Sequence, residues 1–162
     1  MSLNRLIPAF IFLVTLGALS LALTAQHVYQ LEPCILCLYQ RIPFIVTGLL
    51  AVLALRLKTS SAFIPLIIIL CGLVYIVGAG IAVYHVGVEQ HWWLSGCTAP
   101  LSDSVSLQDI RASLMQKPEK SCDEVDWTLF GISMATYNVF GSSVLGLASI
   151  TMGIQLSKTR KT

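Results

Sequence analysis

Four long apolar stretches constrain this chain before any single residue does. Between Arg5 and Glu32 there is no acidic or basic residue, and Leu6 to Ala25 is long enough to cross a hydrocarbon layer of about 30 Å. Ile42 to Leu55 is apolar but short; counted from Cys34 to Leu57 it is long enough. Ala62 to Tyr84 is a third span, and Leu129 to Leu156 is a fourth without a charge. Of the 162 residues 56% are hydrophobic and only 11% charged, where soluble domains carry about 25% charged residues. That leaves too little polar surface to coat a water-soluble globule. The expectation is an all-α fold: a polytopic membrane four-helix bundle forming one membrane domain over residues 1–162, with spans at 6–25, 34–57, 62–84 and 129–156. The first span has no obvious small-residue cleavage site and three more follow, so it reads as a retained helix rather than a signal peptide. A net charge of +2 without a basic stripe and interleaved aromatics gives nucleic-acid binding no support.

The loops orient the spans. Arg5, Arg56, Lys58, Lys158, Arg160 and Lys161 fall on one side with no acidic residue among them. All eight acidic residues fall on the other, with Arg41, Arg111, Lys117 and Lys120. Cytoplasmic loops are enriched in Lys and Arg, which puts both termini in the cytoplasm and leaves two outward-facing loops, 26–33 and 86–128. In the second loop Leu107, Ile110 and Leu114 recur at i, i+3 and i+7 among charged residues, the signature of a short amphipathic helix. Trp92 and Trp93 are expected to anchor this loop at the membrane interface.

Of five cysteines, Cys34, Cys37, Cys97 and Cys122 face outward, and Cys71 lies within the third span as an inert packing residue. Outside a bacterial inner membrane, or in the ER lumen, thiols meet oxidising conditions. Four cysteines allow three connectivities. A Cys34-x-x-Cys37 loop is too short to restrain much chain entropy, so this pair points to redox chemistry rather than stapling. A zinc site of four thiolates is disfavoured, because Cys97 and Cys122 are 25 positions apart while structural zinc sites use paired short spacings; no metal site is expected. Pro33 suits a helix start. On a helix from there Cys34, Cys37 and Arg41 share a face, the cysteines about 60° apart with the arginine between them. The positive helix N-terminus and Arg41 favour thiolate, while desolvation at the membrane opposes it. Arg41 either snorkels to the headgroups or donates hydrogen bonds to an acceptor held against the cysteine face. Pro43 interrupts the helix two residues on.

A membrane dithiol needs an electron acceptor. There is no dinucleotide fingerprint in the right context, and His27, His85 and His91 form no cluster that suggests haem. The economical acceptor is lipid-soluble: a quinone at the level of Arg41.

Taken together, the four spans, the run Pro33, Cys34, Cys37, Arg41, two further cysteines in a long second outer loop, and Cys122, Trp127, Phe130, Gly131 and Met134 at the entry to span 4 resemble the bacterial disulfide bond formation protein B (DsbB) family over nearly the whole chain. The resemblance implies a route for electrons. Cys97 would form the mixed disulfide with a reduced periplasmic thioredoxin-like protein of the DsbA type, and Cys97 and Cys122 would form one disulfide. Cys34 and Cys37 would form the other, reoxidised by ubiquinone or menaquinone with Cys37 nearer the quinone. Arg41 would contact the quinone, and His85 matches, with a one-residue shift, a family histidine placed near it. The implied location is the bacterial inner membrane.

Two other readings compete. The vitamin K epoxide reductase family also combines a membrane Cys-x-x-Cys, loop cysteines and a quinone, but there the loop cysteines come first in the chain and here they follow. A non-catalytic four-helix scaffold would use its disulfides only as loop staples, and would not consume partner thiols in the presence of quinone.

Overall fold

In the computed structural model, residues 3–93, 97, 120–125 and 127–159 are described. Four helices dominate: α1 (Leu3–His27), α2 (Ile35–Arg56), α3 (Phe63–Glu89) and α4 (Met134–Thr159). Each is long and apolar enough to cross a membrane, and together they make an all-helical, multi-pass membrane bundle. A two-stranded antiparallel hairpin, β1 (Thr128–Leu129) and β2 (Ile132–Ser133), leads into α4.

Helix ends differ from the apolar runs for local reasons. Helix α2 starts at Ile35, not at Pro33, because the Cys34 sulfur acts as its N-cap and accepts the Cys37 N–H at 3.3 Å. Helix α3 runs to Glu89, five residues beyond Tyr84, so its last turn lies past the apolar run. Helix α4 starts at Met134 rather than Leu129. Ser133 Oγ accepts the Thr136 N–H at 3.2 Å, a standard N-cap bond. The residues before it turn back through Phe130 (φ 52°) and Gly131 (φ 77°), the two left-handed residues of a type I′ hairpin turn. The expected amphipathic helix around Leu107, Ile110 and Leu114 lies outside the described residues.

Lipid tails give apolar helices no reason to associate, so contacts rest on small residues and interhelical hydrogen bonds. Helices α3 and α4 meet on a small-residue seam. A Cβ on Gly72 would stand 2.8 Å from the Gly146 carbonyl oxygen, and one on Gly153 would stand 3.0 Å from that of Pro65. Three helices are tied mid-bundle by buried hydroxyls: Thr15 of α1 lies 2.7 Å from Tyr75 Oη of α3 and 3.4 Å from Thr47 Oγ1 of α2. Cys71 is buried in this core with Ile64, Ile68 and Tyr75. At one end Asn4 donates to the Thr59 carbonyl at 3.0 Å and Arg5 to the Leu55 carbonyl, joining the start of α1 to the turn after α2. The cysteine-bearing end is the opposite one.

Candidate redox site

Cys34 sits where the chain enters α2, and Cys37 one turn in, with their sulfurs 2.9 Å apart. From α3, His85 Nε2 stands 3.5 Å from Cys34 Sγ, and the three ligand-type atoms lie within 4.8 Å of one another. Cys34 and His85 are almost fully buried. Cys34 precedes the first helical residue, and its sulfur accepts the Cys37 N–H and faces the His85 imidazole. Thiolate is the attacking form in disulfide exchange.

Behind His85 runs a chain of neutral polar side chains. Gln40 Nε2 donates to His85 Nδ1 at 2.7 Å, Asn138 Nδ2 donates to Gln40 Oε1 at 2.5 Å, and Ser142 Oγ donates to Asn138 Oδ1 at 2.7 Å. Since Gln40 donates to Nδ1, the proton of the neutral imidazole resides on Nε2, facing the sulfur. One turn on, Glu89 Oε1 is 3.8 Å from His85 Nε2. This carboxylate is buried, and its Oε2 has no hydrogen-bond partner among the described residues.

The second pair is joined: Cys97 and Cys122 form a disulfide with a Cα–Cα distance of 5.7 Å. Cys122 has no exposed surface and packs in one cluster with Cys34, Leu36 and Val88, with Cys37 and Cys97 against its edge. Both pairs thus share a single apolar pocket of chain. Beside Cys122, the Ser121 hydroxyl donates to Asp123 and holds that partly exposed carboxyl below its usual range.

Arg41 stands one turn past Cys37, but its Nη1 donates to Gln26 Oε1 of α1 at 2.7 Å. It links α1 to α2 at the membrane edge rather than joining the sulfur–imidazole group. Between α2 and α3 lies an apolar cavity of about 720 Å³, lined among others by Leu36, Tyr39, Ile42, Pro43 and Tyr84. Leu36 and Tyr84 are the chain neighbours of Cys37 and His85. Trp93 folds back onto α3: its ring stacks on Tyr84 at 5.8 Å and its Nε1 donates to the Tyr84 carbonyl at 3.1 Å. Trp92 is largely exposed.

Sequence reasoning missed Gln40, Glu89, Asn138 and Ser142. Polar residues at i+3 from Cys37 and at i, i+4 in the fourth span were the available signal, since polar side chains in spans are expensive and face the bundle interior. Glu89 lies four residues after His85, but closing the third span at Tyr84 hid that shared face.

The family model for disulfide bond formation protein DsbB matches residues 4–152. Relatives named disulfide bond formation protein B include that of Xylella fastidiosa, 30% identical over 155 residues (92% of this chain, 89% of the relative). The protein of that name from Methylobacillus flagellatus is 28% identical over 145 residues, 87% of each chain. That from Acinetobacter baumannii is 28% identical over 141 residues, covering 83% of this chain and 82% of the relative. No solved structure matches the chain.

Proposed function

The chain belongs to the DsbB family of disulfide bond formation proteins, and from that premise we propose that it is the membrane oxidase that returns a periplasmic DsbA-type dithiol protein to its disulfide form and delivers the electrons to membrane quinone. The observation that carries this reading is the packing of the Cys97–Cys122 disulfide against Cys34 and Cys37 in one buried cluster. A relay by thiol–disulfide exchange needs the two pairs within reach of each other.

The electrons move in three balanced steps. A thiolate of the reduced partner attacks the Cys97 sulfur, giving a mixed disulfide and releasing Cys122 as thiolate; the partner's second thiolate then displaces Cys97. The resulting Cys97/Cys122 dithiol reduces a Cys34–Cys37 disulfide by the same exchange and is itself reoxidised. The Cys34/Cys37 dithiol finally passes two electrons and two protons to the acceptor. Quinone bound in the apolar cavity beside Leu36 and Tyr84 would supply the two-electron sink there.

This chain's own residues have defined work in that scheme. The Cys37 N–H and His85 Nε2–H hold the Cys34 sulfur as thiolate. Gln40 fixes the imidazole orientation. Arg41, positioned by Gln26, would stabilise charge developing on a quinone oxygen held at its level. The orientation that suits this places the cysteine end in the periplasm and both termini in the cytoplasm of a bacterial inner membrane.

The test is a quinone-reduction assay with purified protein and a reduced DsbA-type partner, run with ubiquinone and with menaquinone analogues. Stoichiometric loss of partner thiols and of quinone is expected. Thiol consumption in neither case would sink the oxidase reading and favour the scaffold.

A further inference from the structure

The reduced site has a feature that electron relay does not use: a buried carboxylate with an unpartnered oxygen, facing an imidazole that faces two thiols. Electron transfer calls for the thiols and a donor to them. It gives no reason to bury Glu89, which costs free energy unless something pairs with it. We propose that, in the reduced state, Cys34, Cys37, His85 and Glu89 form a binding site for a thiophilic divalent cation, Zn²⁺, and that its occupancy holds the pair reduced and blocks its oxidation.

The donor set fits, and three of its members already lie together. Two thiolates, one imidazole and one carboxylate are all established zinc ligands, with bonds of about 2.3 Å to sulfur and about 2.0–2.2 Å to nitrogen and oxygen. A tetrahedron with those bonds has edges of roughly 3.8 Å between sulfurs, 3.6 Å between sulfur and nitrogen and 3.4 Å between nitrogen and oxygen. Cys34 Sγ to His85 Nε2 is 3.5 Å and His85 Nε2 to Glu89 Oε1 is 3.8 Å. Cys34, Cys37 and His85 lie within 4.8 Å of one another without Glu89, so the sulfurs, at 2.9 Å, must move apart by roughly 0.9 Å and the Glu89 carboxylate must swing inward to complete the set. Burial of Cys34, His85 and Glu89 excludes competing water. The set differs from the four-thiolate site that the sequence disfavoured: it takes nothing from Cys97 or Cys122.

The imidazole must offer a lone pair on Nε2, whereas here Nε2 carries the proton. The surrounding chain accommodates both tautomers. Turning over the Gln40 and Asn138 amides lets His85 Nδ1–H donate to Gln40 Oε1, Gln40 Nε2 donate to Asn138 Oδ1, and Asn138 Nδ2 donate to Ser142 Oγ. Every group keeps a partner. A metal-bound histidine whose other ring nitrogen donates to a carbonyl oxygen is the usual outer arrangement. With Cys34 held as thiolate, binding displaces the remaining thiol proton, on Cys37, while the imidazole proton moves from Nε2 to Nδ1. An oxidised pair has no thiolate to give, so metal and disulfide exclude each other.

The test uses the full-length, detergent-purified chain carrying Cys97→Ala and Cys122→Ala, fully reduced. Zn²⁺ alone is titrated against a chromophoric chelator, and Cd²⁺ serves as the probe for thiolate-to-metal charge-transfer absorption. One ion per chain is expected, with no binding after oxidation of Cys34 and Cys37. His85→Ala and Glu89→Gln should each weaken Zn²⁺ by about tenfold or more. Zn²⁺ should protect Cys34 and Cys37 from alkylation and, in the wild-type chain, inhibit oxidation in a chelator-reversible way. If His85→Ala does not fold, ¹¹³Cd NMR of the parent decides: a mixed sulfur–nitrogen–oxygen environment is expected. Equal binding by the oxidised chain, an all-sulfur cadmium signal, or unchanged affinity in both variants would overturn the proposal. Metal binding is read without quinone or partner, so its failure leaves the oxidase assay standing, and a failed oxidase assay leaves the metal result standing.

Discussion

Under the proposed relay, Arg41 would serve both architecture and chemistry. Its bond to Gln26 fixes the guanidinium at the membrane edge, where, on that proposal, it would face charge developing on the quinone. Loss of one preorganised donor costs roughly 10²–10³ in turnover. Arg41→Leu should therefore slow reoxidation of Cys34/Cys37 and raise the apparent quinone requirement, while single-turnover oxidation of the partner by the preformed Cys97–Cys122 disulfide stays near wild type. Arg41→Lys should fall between, keeping charge without the planar fork, and Gln26→Leu should reproduce part of the Arg41→Leu defect. Stopped-flow quinone absorbance reads all three. The Cys37–Arg41 spacing could be read from one helix's own periodicity, but α2 begins only at Ile35 with Cys34 as its cap, and Arg41 bonds to Gln26 of α1. Nothing local announces that Gln40 pairs with Asn138 across 98 residues, or that His85 arrives beside Cys34 from 51 residues away. Such pairings depend on which faces of separate helices meet.

At the scale of elements, the α3–α4 seam and the hairpin carry separate strains. A Cβ on Gly146 would come within 2.7 Å of Ile76 Cδ1 and 3.1 Å of the Gly72 carbonyl oxygen, so a larger side chain there must push the helices apart. Gly146→Leu is expected to destabilise the bundle by about 1–3 kcal/mol, the usual range for overpacking, and to lower the midpoint of unfolding in a denaturant titration of the detergent-solubilised protein. The opposite sign is expected at the hairpin tip. Phe130 adopts φ 52° with its ring 91% exposed, a backbone region that costs non-glycine residues roughly 1–2 kcal/mol. Asn tolerates it better, so Phe130→Asn should raise the thermal midpoint; a lower midpoint would show that the ring contributes more than its backbone costs. The helical spans themselves were readable as apolar length. Their ends were not, because the Cys34 and Ser133 caps and the type I′ turn are set by a few atoms that hydropathy does not register.

Over the whole molecule, Cys34, Cys37, Cys97 and Cys122 gather at one end while the other end holds the Arg5 bonds to Leu55 and Thr59. If electrons enter through Cys97, Cys122→Ser should trap a mixed disulfide between Cys97 and the thioredoxin-like partner, visible as a larger band on a non-reducing gel; a partner linked instead to Cys34 or Cys37 would reverse the order of the relay. The small-residue seam between α3 and α4 also bears on how the chain is made. Helix α4 is the least apolar of the four, and its buried side carries Ser142, Gly146, Ser149 and Gly153. It has the weakest claim on lipid of its own, and α3 has the strongest. Of these four helices α4 is the last to be translated, so it would enter a bilayer where its docking surface on α3 already stands.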